Sequence, residues 1–227
     1  MVDYICILDF EATCWPKKSL RSNMHEIIEF PSVLLKWDDE KKIRKVSEIQ
    51  QYVKPLKYPV VSEFCKNLTG ITQEIVNAGI PLETAIKNHC SWLTEFSNHN
   101  TMTIVTCGDW DLKTMLPLDL INLGRKSPTI YLRWVNIKHL YEIVKKVNRV
   151  KGMEYMLAML DLPLEGRHHS GLDDSRNIAN IFIKLVELGL TKKIFIEHIQ
   201  YLRKVPVIEH TITTTTALVD DSSVTSI

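Results

Sequence analysis

The chain has 227 residues, of which 45% are hydrophobic and 24% charged, with a net charge of +1. That is the size and balance of one globular domain with a substantial core, and the near-zero charge excludes a protein that coats nucleic acid through a generally basic surface, so any nucleic-acid site has to be local. Five cysteines without a CxxC pair argue against a disulfide framework and a structural zinc site, and suit a reducing intracellular compartment, cytoplasmic or nuclear.

Tyr4–Phe10 is a near-continuous apolar run, which predicts a strand buried on both faces in the middle of a sheet. Asp3 and Asp9 interrupt the first ten residues, which also lack a basic leader, so they do not read as a signal peptide. Glu26–Trp37 holds a second apolar stretch, Asp38-Asp39-Glu40 suits a hairpin turn, and Ile43–Val53 predicts a third strand. Leu82, Ala85, Ile86, Cys90, Leu93 and Phe96 recur at helical spacing, with Pro81 suited to a first turn.

Thr103–Cys107 is a β-branched strand, after which Gly108 lets the chain turn into a helix near Trp110. Tyr131–Ile137 predicts the fifth strand. Helical patterns follow at Ile137–Val147, Met153–Leu160, Leu172–Leu188 and Lys192–Leu202. From Val205 the periodicity gives way to Thr and Ser, which predicts a disordered tail at 205–227 behind one domain at 1–204. Three strands joined by short turns, then strands alternating with helices, imply an α/β domain with a mixed five-stranded sheet flanked by helices. No apolar run approaches the ~20 residues needed to span a bilayer, so a membrane is not an expected partner. The short basic runs around Lys42 and Lys146 read as solvated faces.

Two carboxylates, Asp9 and Glu11, stand two residues apart at the end of the first strand, and period-2 geometry points both to one side. Burying two unpaired carboxylates beside an apolar sheet calls for a compensating positive charge, which a divalent metal supplies. A second acidic group is CGDWDL at 107–112, where Asp109 and Asp111 both follow a strand and the spacing does not choose between them.

The third is GRHHSGLDDSRNIA at 166–179. His168 with Asp173 and His169 with Asp174 share one spacing. The helix distinguishes the two aspartates: Asp174 continues the apolar stripe of Ile178, Ile181, Phe182 and Leu185, whereas Asp173 aligns with Asn177, Asn180 and Lys184. Asp174 is therefore expected to face the sheet, and Asp173 to serve the helix N-terminus.

Taken in order, DFEATC at 9–14, LTGIT at 68–72, CGDWDL and HHSGLDD resemble the motifs of the DEDDh 3′→5′ exonucleases, in particular the Eri-type branch that includes the histone-mRNA 3′ exonuclease and Snipper. HEIIEFP at 25–31 is similar to the same branch. The resemblance covers residues 4–188 and implies an RNase H-like fold. It implies Asp9, Glu11, Asp111 and Asp174 as metal ligands, His169 as general base, and two Mg²⁺ ions for which Mn²⁺ substitutes. The implied substrate is the 3′ end of single-stranded RNA, with DNA as a second substrate.

Two-metal hydrolysis suits this donor set, because Mg²⁺ prefers oxygen ligands and keeps several waters. A histidine with an ordinary pKa near 6.5 suits the proton transfer. Substrate contacts are expected from Ala12 and Thr13 at the terminal sugar and from Thr69 and Gly70 near the terminal nucleotide. Trp110 could stack on a base or pack under its helix. Besides exonuclease activity, two other readings fit the pattern: an idle RNase H-like binding module, and an oligoribonuclease-like phosphoesterase acting on dinucleotides.

Overall fold

The computed structural model describes residues 2–17, 24–39, 42–97 and 101–202. The tail anticipated at 205–227, the last two residues of the 1–204 domain, and Glu40 of the anticipated hairpin turn lie outside them.

Apolar alternation builds the centre. The first strand, β1 (Tyr4–Leu8), is buried from Ile5 onward. Ile5 and Ile7 enter one core layer while Cys6 and Leu8 enter the other, as period-2 geometry requires. The next strands are β2 (Glu11–Ala12), β3 (Ile27–Glu29), β4 (Ser32–Asp39) and β5 (Lys42–Ile49). The anticipated Glu26–Trp37 stretch is thus two strands. Pro31, which has no N–H to give a ladder, stands between them, so that β3 pairs with β2 in a small separate sheet and β4 joins the main one.

Two short helices follow, α1 (Glu63–Thr69) and α2 (Gln73–Asn77), capped by the hydroxyls of Ser62 and Thr72. Then come α3 (Leu82–Phe96) and β6 (Met102–Thr106). A π-helical turn at Asp111–Met115 runs into α4 (Leu116–Asn122), and a 3₁₀ turn at Thr129–Leu132 leads into β7 (Arg133–Asn136). The remainder is α5 (Ile137–Lys145), α6 (Met153–Met159), α7 (Gly171–Glu187), α8 (Lys192–Glu197) and β8 (Gln200–Tyr201).

The main sheet has six strands in the order β5-β4-β1-β6-β7-β8, not the five expected. The additional strand is the two-residue β8, which pairs antiparallel with β7 where a continued helix was anticipated. β1 runs parallel to β6 and antiparallel to β4. Helices α5, α6 and α7 cover one face and α3 and α4 the other. This is the mixed, helix-flanked sheet of the RNase H-like fold. Its C-terminal ends of β1 and β6 leave the chain at Asp9 and at Cys107–Asp111, and α7 starts beside them.

Candidate active site

The carboxylates named from sequence converge. One oxygen from each of Asp9, Glu11 and Asp174 lies within 4.8 Å of the others. Asp9 follows the last residue of β1, Glu11 begins β2, and Asp174 sits on the first turn of α7. The aspartate left open in CGDWDL is placed by the fold. Asp111 is buried and its Oδ1 accepts the N–H of Phe10 at 3.1 Å, between Asp9 and Glu11. Asp109 instead accepts from Trp134 Nε1 at 3.1 Å and Asn136 Nδ2 at 3.3 Å, a structural brace on β7.

So many acids cannot all ionise without help. Burial first, then the charges of Asp111, Glu11 and Asp174, hold the Asp9 carboxyl well above the usual range. Burial and Glu29 push Glu11 up to about 9. Burial lifts Asp111 to about 6 against the opposing Phe10 N–H bond, and burial also raises Asp174. A cluster of oxygen donors that repel one another in a half-dry pocket fits divalent cations such as Mg²⁺ or Mn²⁺, which neutralise the charge and prefer oxygen. Asp9, Glu11 and Asp174 would hold them, with Asp111 alongside.

Asp174 also organises the histidine loop. Its Oδ2 accepts the backbone N–H of His169 at 2.8 Å, and both its oxygens lie 3.2 Å from His168 Nδ1. The two imidazoles stack with centroids 3.9 Å apart. His169 has a left-handed backbone, φ 66°. Burial and then His168 lower its pKa. Asp173 takes the first-turn role expected of it, accepting from Arg167 N at 3.0 Å and Arg176 Nη1 at 3.0 Å. Asn177, placed by sequence on the polar face, is fully buried and makes reciprocal bonds to the Glu165 backbone.

An open hollow of about 550 Å³ is lined by Asp9, Glu11, Asp174, His168 and His169, and also by Lys138, Lys151 and Tyr155. The remaining expected contacts divide. Trp110 is 43% exposed and stands edge-on to His25, centroids 5.5 Å apart, so it does not pack under its helix. Thr13 is sealed in, with its hydroxyl accepting Glu26 N at 3.0 Å, and Thr69 is buried with its hydroxyl on Cys65 O at 2.9 Å. Both threonine side chains brace the walls rather than face the cleft, because each hydroxyl satisfies a local backbone group. Ala12 is buried too, its carbonyl accepting from Cys65 Sγ at 3.5 Å. Gly70 caps α1 at φ 79°, and the Arg167 guanidinium fills the space a side chain there would need.

Three residues were not found from sequence. Glu29 is buried and receives the N–H groups of Gly171 at 3.0 Å and Leu172 at 3.2 Å. Its signal was the second of two acids, Glu26 and Glu29, around the apolar pair of HEIIEFP. Arg167 joins the histidine loop to α1, donating to Asn67 O at 2.6 Å. Lys138 opens α5, where a lysine reads as solvated.

The fold and the acidic cluster are similar to those of the DEDDh nucleases. The chain belongs to the exonuclease family RNase_T, whose model matches residues 6–182. It is 34% identical over 209 residues to ERI1 exoribonuclease 2 of Xenopus laevis, covering 85% of this chain and 30% of that protein. With 3′-5′ exoribonuclease 1 of Rattus norvegicus it shares 37% over 195 residues, covering 85% and 55%. The chain thus spans about a third to just over half the length of these relatives. With the 3′-5′ exonuclease Snipper of Drosophila melanogaster it shares 33% over 202 residues, covering 82% and 70%.

Among solved structures, the nuclease domain of 3′hExo bound to rAMP, described as a DEDDh family member, superposes with a TM-score of 0.76 at 37% identity, covering 83% of this chain and 94% of that one. A structure of a 3′-exonuclease recognising the histone mRNA stem-loop gives 0.76 at 34%, covering 83% and 65%. No helix among the described residues is long and apolar enough to cross a membrane.

Proposed function

We propose that this chain is a divalent-metal-dependent 3′→5′ exonuclease that releases nucleoside 5′-monophosphates from the 3′ ends of single-stranded RNA, with DNA as a second substrate. The observation that carries the reading is the convergence of Asp9, Glu11 and Asp174 within 4.8 Å in a hollow that also contains His169. Relatives named as exoribonucleases and a neighbour bound to rAMP support RNA as the leading substrate. Five thiols that are free support a reducing compartment, cytoplasmic or nuclear. Residues 1–204 are read as one exonuclease domain.

Bound Mg²⁺ or Mn²⁺ would neutralise the phosphoryl oxygens, acidify a water and assist the leaving 3′ oxygen. Asp9, Glu11 and Asp174 would hold those ions, with Asp111, fixed by Phe10 N–H, beside them. His169 has its pKa lowered, so it is neutral at pH 7 and accepts the proton of the attacking water. Asp174 fixes the His169 backbone through a 2.8 Å bond, which couples the position of the base to a metal ligand. Trp110 offers an exposed ring for a base, and such stacking tolerates any sequence.

The test is incubation with 5′-labelled single-stranded RNA, single-stranded DNA and a dinucleotide in Mg²⁺. The expected result is a ladder that shortens from the 3′ end, faster on RNA, and that EDTA stops. Internal cuts, or no shortening of any strand, would count against the reading. Cleavage of the dinucleotide alone would favour an oligoribonuclease-like enzyme.

A further inference from the structure

The hollow around the carboxylates is also lined by cations. Lys138, at the start of α5, and Lys151, just before α6, line it together with Tyr155. Among the described residues neither lysine ammonium makes a hydrogen bond or a salt bridge. Lys138 is half-buried, and its Nζ lies 4.0 Å from where a side chain on Gly108 would begin, beside the end of β6. Lys151 is exposed and Tyr155 is 39% exposed. The counter-charge on this rim is Glu154, whose carboxylate lies 3.7 Å from His168 Nε2.

The location sets a direction. Trp110 and Gly70, the candidates for the terminal nucleoside, do not line this hollow, so the hollow is left for the rest of the strand. A strand whose last phosphate sits on the carboxylates has to leave through the hollow. A polyanion leaving past acidic residues needs cations, and two lysines without a hydrogen bond or salt bridge are there, Lys138 close enough for its charge to oppose the raised pKa of Asp111. Lysine suits a strand that advances one nucleotide at a time, because it is a point charge on a flexible stem and reads no base.

We propose that Lys138 and Lys151 hold successive backbone phosphates of the substrate strand on the 5′ side of the scissile bond, with Tyr155 beside them as a stacking surface for one base. This rests on the exonuclease reading. It assigns a sequence-independent phosphate subsite for single-stranded nucleic acid.

The experiment measures binding of a 5′-labelled ten-nucleotide RNA by fluorescence anisotropy, with Ca²⁺ in place of Mg²⁺, across a KCl series. For a single strand each neutralised phosphate contributes roughly −0.7 to the slope of log K against log salt. Lys151→Ala and Lys138→Ala are each expected to make the slope about 0.7 less negative. Arg125→Ala, which removes a cation paired with Glu83 away from this hollow, should leave it unchanged. In Mg²⁺ turnover, the KM penalty of Lys151→Ala should grow from two- to ten-nucleotide strands.

An unchanged slope in both lysine variants overturns the subsite. So does an equal KM penalty at every length, which marks a merely structural effect. If the wild-type protein shortens no strand, the exonuclease reading falls, while the anisotropy slopes still decide the lysine assignment.

Discussion

Glu29 accepts the backbone N–H of Gly171 at 3.0 Å and that of Leu172 at 3.2 Å, so a buried carboxylate on β3 caps the helix that carries Asp174. The same residue pairs with Glu11 across the small sheet, which ties two acids of the cluster to one anchor. Burial raises the Glu29 pKa, and bonds from Gln50, Gly171 and Leu172 oppose that rise, as a helix N-terminus does for a carboxylate. Glu29→Ala should lower unfolding stability by about 1–3 kcal/mol, the usual cost of a charge-assisted bond. Urea denaturation measures it, and an unchanged midpoint would remove the capping role.

Gly171 is required for a different reason. A Cβ there would lie 2.7 Å from the carbonyl oxygen of Asp9 and 2.9 Å from Pro31 Cγ. A backbone oxygen cannot swing away, so Gly171→Ala should push α7 off the end of β1 and separate Asp174 from Asp9. Mn²⁺ titration calorimetry is expected to show affinity reduced at least about tenfold, since ligand placement controls metal affinity. Wild-type affinity would show that the approach is not constrained.

The assignment of the two neighbouring aspartates is directly testable. Asp174→Asn should abolish turnover with native circular dichroism, whereas Asp173→Asn should retain turnover and lose roughly 1 kcal/mol through its Arg167 and Arg176 bonds. The opposite pattern would reverse the roles given to α7.

His169→Ala is expected to reduce kcat by about 10²–10⁴, the range for a lost general base, and His168→Ala by less. Because the His169 pKa is lowered below 6.5, it becomes protonated and inactive only at acidic pH. The acidic limb of the pH–rate profile should therefore carry a component below pH 6.5 that is lost in His169→Ala, leaving the limb imposed by protonation of the carboxylates. A larger loss in His168→Ala would identify the other imidazole as the base.

Metal and proton compete for the same oxygens. Asp9, Glu11, Asp111 and Asp174 all have raised pKa values, with Glu11 near 9 and Asp111 near 6. The native state thus binds more protons than the unfolded chain between about pH 4 and 9, and the linkage sign makes metal-free stability fall as pH rises through that window. Differential scanning fluorimetry in EDTA should show Tm declining from pH 5 to pH 8. Added Mg²⁺ should raise Tm more at pH 8 than at pH 6, by mass action on deprotonated oxygens. A Tm that rises over this window in EDTA would contradict the clustered-acid account.

Several elements were plain from local pattern because their signal is local. The runs YICIL and TIVT could be buried only as central strands, and the Ile178, Ile181, Phe182 and Leu185 stripe oriented α7. Helices α1 and α2 were not recognised, since seven and five residues are too short for a helical stripe. Their available signals were the caps Ser62 and Thr72 with Glu63 and Glu74 just behind. The strand expected at Ile43–Val53 stops at Ile49. Beyond it, Tyr52 and Val53 form bridges to Glu29 and Ile80, a long-range pairing with no local trace.

The amino-acid order by itself determined that Asp9, Glu11 and Asp174 face a common apolar layer, because side-chain direction follows from the periods of strand and helix. Only the tertiary structure set Asp111 on the Phe10 N–H and Asp109 on Trp134, sealed Thr13 and Thr69 into the walls, and brought Glu29 to the start of α7. Those outcomes depend on which distant backbone N–H or carbonyl meets each side chain. Such partners lie up to 143 residues away in the chain, as Glu29 and Leu172 do, and no short-range periodicity encodes them.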